Sequence, residues 1–232
     1  MKEQKHIVIS VGGSMIIPED TIDRVFLKGF IDMVHDYVLQ GYTFTLFTGG
    51  GGVARAYTQA AESFRDMTMH EKDWLGISLT RANAQLLKTI FGDDMTYEKI
   101  LHDPTVSFET NKPIIIGSGW KPGFSTDNDA VLYAQVHGIS QVINISNIDF
   151  VYTKDPRKFP DAEKIEHTTW PAYRALIPET WEAGLHSPFD PIASRTAQDA
   201  GIEVLIINGR ALNEIRNAIE SKPFQGTHIV CE

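Results

Sequence analysis

Short runs of β-branched and aliphatic residues alternate along the chain with longer stretches whose apolar residues recur every three or four positions. The runs at 6–11, 43–48, 113–116, 141–145, 203–207 and 227–231 predict strands, and those at 21–39, 53–65, 72–91, 129–136, 191–200 and 213–220 predict helices. Most strand runs are continuously apolar, as expected for strands covered on both faces. The alternation predicts an α/β fold around a parallel sheet. From Ser146 to Pro160 the pattern lapses, and from Pro171 to Pro191 a polar, Pro-punctuated stretch reads as a second, smaller layer or a lid. No linker is long enough to separate independent domains, and a boundary between two lobes, 1–140 and 141–232, is expected near Ser140.

The junctions carry the chemistry. Val11-Gly12-Gly13-Ser14 follows the first strand and Thr48 with Gly49 to Gly52 follows the second. Ligands of open α/β sheets bind at such carboxyl ends. Four successive glycines are unfavourable for packing and helix propensity alike, so they imply close backbone approach to something. Between a strand and a helix their N–H groups would converge on an anion, with Arg55 one turn further on. The alternative is a merely flexible turn. Neither turn matches the dinucleotide fingerprint or the P-loop. Ser125, Thr126, Asp127, Asn128 and Asp129 precede a further helical stretch, and capping explains one or two of them. The rest point to a second anionic ligand, with a carboxylate placing a neighbour or Mg2+.

Composition narrows the partners. The 232 residues carry 30 acidic and 21 basic side chains, a formal net charge of −9, which argues against wrapping nucleic acid. The single cysteine, Cys231, forbids an intramolecular disulfide and suits a reducing compartment. No apolar run approaches the roughly 18 residues of a membrane helix, and the N-terminal residues do not read as a signal peptide. No membrane partner and a cytoplasmic location are expected.

These residues, in this order, are similar to the amino acid kinase superfamily, and within it to the archaeal-type uridylate (UMP) kinases. The resemblance rests on the two glycine turns, the Asp73-Trp74-Leu75-Gly76-Ile77-Ser78-Leu79-Thr80-Arg81-Ala82-Asn83-Ala84 segment, Ser125-Thr126-Asp127, the run from Asn147 to Pro156, Phe189-Asp190-Pro191 and Gly226-Thr227. It implies a three-layer sandwich with a mainly parallel central sheet, and the reaction ATP + UMP giving ADP + UDP with Mg2+. It also implies a homo-oligomer, a hexamer. By this resemblance Ser14, Arg55 and Asp127 are the catalytic candidates. Gly50, Asp73, Gly119, Trp120, Phe124, Ser125 and Thr126 would bind UMP. Gly13, Ser14, Gly51, Arg55, Ser146, Asn147, Tyr152 and Asp155 would bind ATP, and no residue is assigned to the metal. The alternatives keep the fold but change the acceptor to another small phosphate or carboxylate, or make the chain a non-catalytic nucleotide-binding or ion-storage relative. Ser10 stands where many members carry lysine, and Phe150 where a glycine is usual.

Overall fold

The computed structural model describes residues 5–179 and 187–231. Strands β1 (His6–Val11), β2 (Thr43–Thr48), β3 (Ile114–Gly117), β4 (Gln141–Ser146) and β8 (Glu203–Asn208) run parallel, and β9 (Thr227–Val230) returns antiparallel to β8. A short strand β7 (His167–Thr169) closes the edge, so the sheet order is β3-β2-β1-β4-β8-β9-β7. Successive strand residues point to opposite faces, and both faces are apolar. Ile9, Val11, Ile143, Ile145, Leu205 and Ile207 enter one core, while Val8, Val142, Val204 and Ile206 enter the other.

The first core is covered by α1 (Gly13–Ile16), α2 (Arg24–Leu39), α4 (Met69–Phe91) and α8 (Leu212–Ile219), and the second by α5 (Thr126–Val136), α6 (Trp170–Arg174) and α7 (Pro191–Ala200). The result is a three-layer α/β/α sandwich. The apolar stripe of α2, from Phe26 to Tyr37, is buried against the sheet, so it is not free to form an interface between chains. Among the described residues no helix is long and apolar enough to cross a membrane.

Several boundaries differ from the sequence expectation. Helix α3 (Gly51–Glu62) begins on the glycines rather than at Val53, and α5 begins at Thr126 rather than Asp129. Helix α4 begins three residues early, at Met69, because Thr68 and Glu71 form a reciprocal capping box. The irregular stretch after Ser146 contains a hairpin, β5 (Val151–Tyr152) with β6 (Lys164–Ile165). In the described parts of the Pro-punctuated stretch, 171–179 and 187–191, Tyr173 of α6 and Phe189 join the second core instead of a layer of their own. The remainder of the expected lid, 180–186, lies outside the described residues.

Candidate active site

Strand β1 has β2 on one side and β4 on the other, and the chain leaves β1 and β4 toward opposite directions of the sheet. Such a switch point opens a crevice at the carboxyl ends of the strands. Both glycine turns lie there, back to back. A Cβ on Gly13 would come within 2.0 Å of the Gly51 nitrogen, and one on Gly49 within 2.5 Å of the Gly13 nitrogen. Gly51 also has φ +71°, which side chains other than glycine rarely adopt.

The contact between the turns selects which amides are free. Gly49 N–H donates to Val11 O (3.0 Å) and Gly52 N–H to Ile17 O (2.7 Å), so these two glycines of the run do not face a ligand. Among the described residues the N–H groups of Gly13, Ser14, Gly50 and Gly51 have no partner. Asn83, buried on α4, donates to the carbonyls of Gly49 (2.8 Å) and Gly50 (3.2 Å) and so turns those oxygens away from the crevice. The first turn of α3 has no capping side chain and no acidic residue, leaving its positive end open.

Beside this end lies a cavity of about 430 Å³ lined by Gly50, Gly51, Ala54, Arg55 and Thr58 of the glycine turn and α3. Asp73, Gly76, Ile77 and Thr80 line it from α4, and Gly119, Phe124, Ser125 and Thr126 from the loop and the start of α5. The four α4 residues fall at i, i+3, i+4 and i+7, one helical face. Gly76 stands mid-helix, where glycine costs about 1 kcal/mol relative to alanine. The loop 118–125 is pinned over the cavity: Gly119 N–H donates to Thr80 Oγ1 (2.8 Å), Trp120 N–H to Asp129 Oδ2 (3.1 Å) and Gly123 N–H to Asp73 Oδ2 (2.7 Å). Lys121 Nζ sits 3.6 Å from the centroid of Trp120 and 4.7 Å from that of Phe124. Trp120 stands edge-on to Phe124, their ring centroids 5.3 Å apart, and it is Phe124 of this pair that lines the cavity.

Arg55 lines the cavity, and its Nη2 donates to Pro18 O at 3.0 Å. Lys72 also lines it, paired with Glu62, a cation that the sequence reading passed over. Asp127 accepts Ser10 Oγ (2.6 Å) and Asn144 Nδ2 (2.7 Å) on the same oxygen, Oδ1. The Asn144 Oδ1 is buried without a partner. Burial, reinforced by the negative charge of Asp190, lifts the Asp127 carboxyl to about 7. Burial likewise raises Asp129 well above the ordinary carboxylate range, and it raises Asp190. The Ser125 hydroxyl accepts from Asn128 N–H (3.0 Å) and donates to Asp190, which caps α7 through the N–H groups of Ile192 and Ala193. At the N-terminus of α5 the Ser125 hydroxyl takes the Asn128 N–H, and Asp127 and Asp129 stand in the first turn, so the chain's own acids compete there with the second anion expected from the sequence.

On the other side of β1, Ser146 ends β4 opposite Asn208, with Gly209 N–H donating to its carbonyl (2.9 Å). Asn147 is exposed beside it. Tyr152 lies in the small hairpin, and Asp155 after it is occupied by Arg157 (3.1 Å). Phe150 lies under Lys164 Nζ, 4.9 Å from its centroid.

A polyanion could thus lie along the free amides with a polar organic group in the adjoining cavity. Relatives share this arrangement of chain. The sequence model of the Amino acid kinase family matches residues 5–208. The chain belongs to the amino acid kinase family. It is 34% identical to the uridylate kinase of Methanospirillum hungatei, over 95% of this chain and 93% of the relative, and 30% identical to that of Sulfolobus acidocaldarius, over 97% and 99%. The crystal structure of the uridylate kinase from Archaeoglobus fulgidus superposes with a TM-score of 0.78 at 25% identity, covering 98% of this chain and all of that one.

The structure adds residues that the sequence gave no separate role. Thr80 and Asn83 lie about two and three helical turns after Asp73, and their polar side chains on the otherwise apolar inward face of α4 were the available signal. Asn144 and Asp190 meet Asp127 and Ser125 only through the fold.

Proposed function

We propose that the protein transfers the γ-phosphoryl group of ATP to UMP, giving ADP and UDP. The observation that carries this reading is the joining of two glycine turns, with four unpartnered N–H groups, to a cavity that presents Asp73. The full-length similarity to uridylate kinases supports UMP as the acceptor.

In this reading the phosphates of both nucleotides run along Gly13, Ser14, Gly50 and Gly51, and Arg55 spans the charge that develops between them. Asp73 accepts the ribose hydroxyls of UMP. Phe124, Ser125, Thr126 and Gly119 enclose its base. Residues 1–140 bind the acceptor, and Ser146, Asn147, Tyr152 and Asp155 of 141–232 hold the adenosine. The attacking oxygen belongs to an already ionised phosphate, so no side chain needs to remove a proton, and alignment with charge neutralisation supplies the catalysis.

The family implies Mg2+. Among the described residues no group of three or more His, Cys, Asp or Glu side chains could hold a metal ion by itself. Mg2+ is usually held by one or two carboxylates together with waters and phosphates, and the Asp127 carboxylate and the orphaned Asn144 Oδ1 fit that requirement. These two residues would hold the ion, whose charge stabilises the transferred group when bound. Ser10 cannot replace the charge of lysine, and it holds Asp127 in place instead. The protein acts in the cytoplasm as a homo-oligomer, a hexamer, and the exposed Tyr57, Phe64, Met69 and Trp74 on and between α3 and α4 supply apolar surface for assembly.

An ADP-release assay across UMP, CMP, AMP, glutamate and isopentenyl phosphate tests the acceptor. UMP should give the highest kcat/KM; background turnover with UMP beside real turnover with another acceptor would overturn the assignment.

A further inference from the structure

A glycine inside a helix has an account when its φ is positive, when a neighbour leaves no room for a Cβ, or when something outside the helix uses the space. Gly52 in α3 is the second case, since a Cβ there would lie 1.7 Å from the backbone oxygen of Glu19. Gly76 in α4 is neither of the first two. Its φ is not positive, and no atom lies within 4 Å of the position a Cβ would take.

The space in front of Gly76 is the cavity. Asp73 lies one turn before it on the same face and Thr80 one turn after it, while Phe124 lines the cavity from the loop. Gly50, whose N–H is free for a phosphate, faces it closely: a Cβ on Gly50 would come 3.6 Å from Gly76 O. Gly76 therefore lies between the amides that hold the acceptor's phosphate and the carboxylate that holds its ribose. We propose that Gly76 is a specificity-determining position for the acceptor: its bare helix surface leaves the room that the sugar and base of a nucleoside monophosphate fill. The inference rests on the proposed kinase reading and deepens it.

The test uses Gly76→Ala and Gly76→Leu in the full chain. Both residues favour the helix, and the alanine variant should melt about 2–4 °C higher than the parent. A side chain in the occupied space should raise the KM of the acceptor about 10-fold for alanine and 100-fold or more for leucine, by the usual magnitude of overpacking. The KM of ATP should stay within about 2-fold in both, because the donor's adenosine lies on the other side of β1 and its phosphates meet the glycine turns rather than the space in front of Gly76. Raised stability with an unchanged acceptor KM would overturn the inference, as would equal effects on ATP and acceptor. The parent protein is first assayed across the nucleotide panel, and the variants are then measured with its best acceptor. A best acceptor other than UMP would overturn the UMP assignment alone, and the KM ratios for that acceptor would still decide the role of Gly76.

Discussion

Replacing Asp127 by asparagine should stabilise the unliganded protein at alkaline pH while removing most of its activity. The Asp127 carboxyl is lifted from 3.8 to about 7 by burial and by the charge of Asp190. In the unfolded chain it returns to its ordinary value. Between about pH 4 and pH 7 the folded state therefore keeps a proton that the unfolded state has released, and stability falls as pH rises through that window. Above pH 7 the whole displacement opposes folding, by roughly 4 kcal/mol. Asparagine has nearly the same shape and can accept the same bonds from Ser10 and Asn144. It forfeits the attraction of a carboxylate to the first turn of α5, about 0.3–1 kcal/mol. The variant should then be more stable by about 3 kcal/mol at pH 8, with the gain vanishing near pH 4. Urea unfolding followed by circular dichroism at several pH values, in chelator and without nucleotide, measures this directly. A difference between parent and variant that does not change with pH would refute the reasoning. In the same variant kcat should fall about 100-fold or more if the carboxylate neutralises charge through a bound cation.

Arg55→Ala should cost about 2–4 kcal/mol of transition-state stabilisation, read as kcat/KM, with little change in stability because the exposed guanidinium makes one bond to Pro18 O; an unchanged rate would remove it from the site. Asp73→Asn can still accept from Gly123 N–H but loses the charge toward the ribose, so the KM of the acceptor should rise more than that of ATP. The reverse order would exchange the two pockets. Asn83→Ala leaves the carbonyls of Gly49 and Gly50 without their partner and should lower stability by about 1–3 kcal/mol. It should also raise the KM of both nucleotides, and normal KM values at lowered stability would confine Asn83 to packing.

The strands of the central sheet were legible because burial on both faces leaves short β-branched and apolar runs, uninterrupted in β3 and β8 and broken only by Ser10 in β1, Thr45 in β2 and Asn144 in β4. The β5–β6 hairpin was not. Its two-residue strands have no periodicity, and they are tied down from elsewhere by Thr227, whose Oγ1 accepts Val151 N–H (2.8 Å) and donates to Ile165 O (2.5 Å). The start of α3 was misread because glycine is a poor helix former, yet the close approach of Gly13 excludes side chains there. In the site, the glycine turns could be read from local pattern, and Asp73 only through the family resemblance. The link from Ser125 to Asp190 spans 65 residues and that from Asp127 to Ser10 spans 117, and no local pattern carries such distances.

Helix N-termini give a physical reason for the proposed place of the phosphates at α3. Each such terminus is a partial positive charge that an anion can satisfy, and a side chain of the chain itself can occupy it first. Asp23 occupies that of α2, the Thr68–Glu71 capping box that of α4 and Asp190 that of α7. Helix α5 has Ser125 as its cap and Asp127 and Asp129 in its first turn, and α8 carries Glu214. Among the described helices of eight or more residues, α3 alone begins with neither a capping side chain nor an acid. An anionic substrate at α5 would have to displace hydroxyl bonds and face three carboxylates. At α3 it meets free amides and Arg55. The glycines at its start, Gly50 as cap and Gly51 and Gly52 in the first turn, thus leave its positive end unclaimed, and the acids gathered at α5 remain available to a cation rather than to an anion.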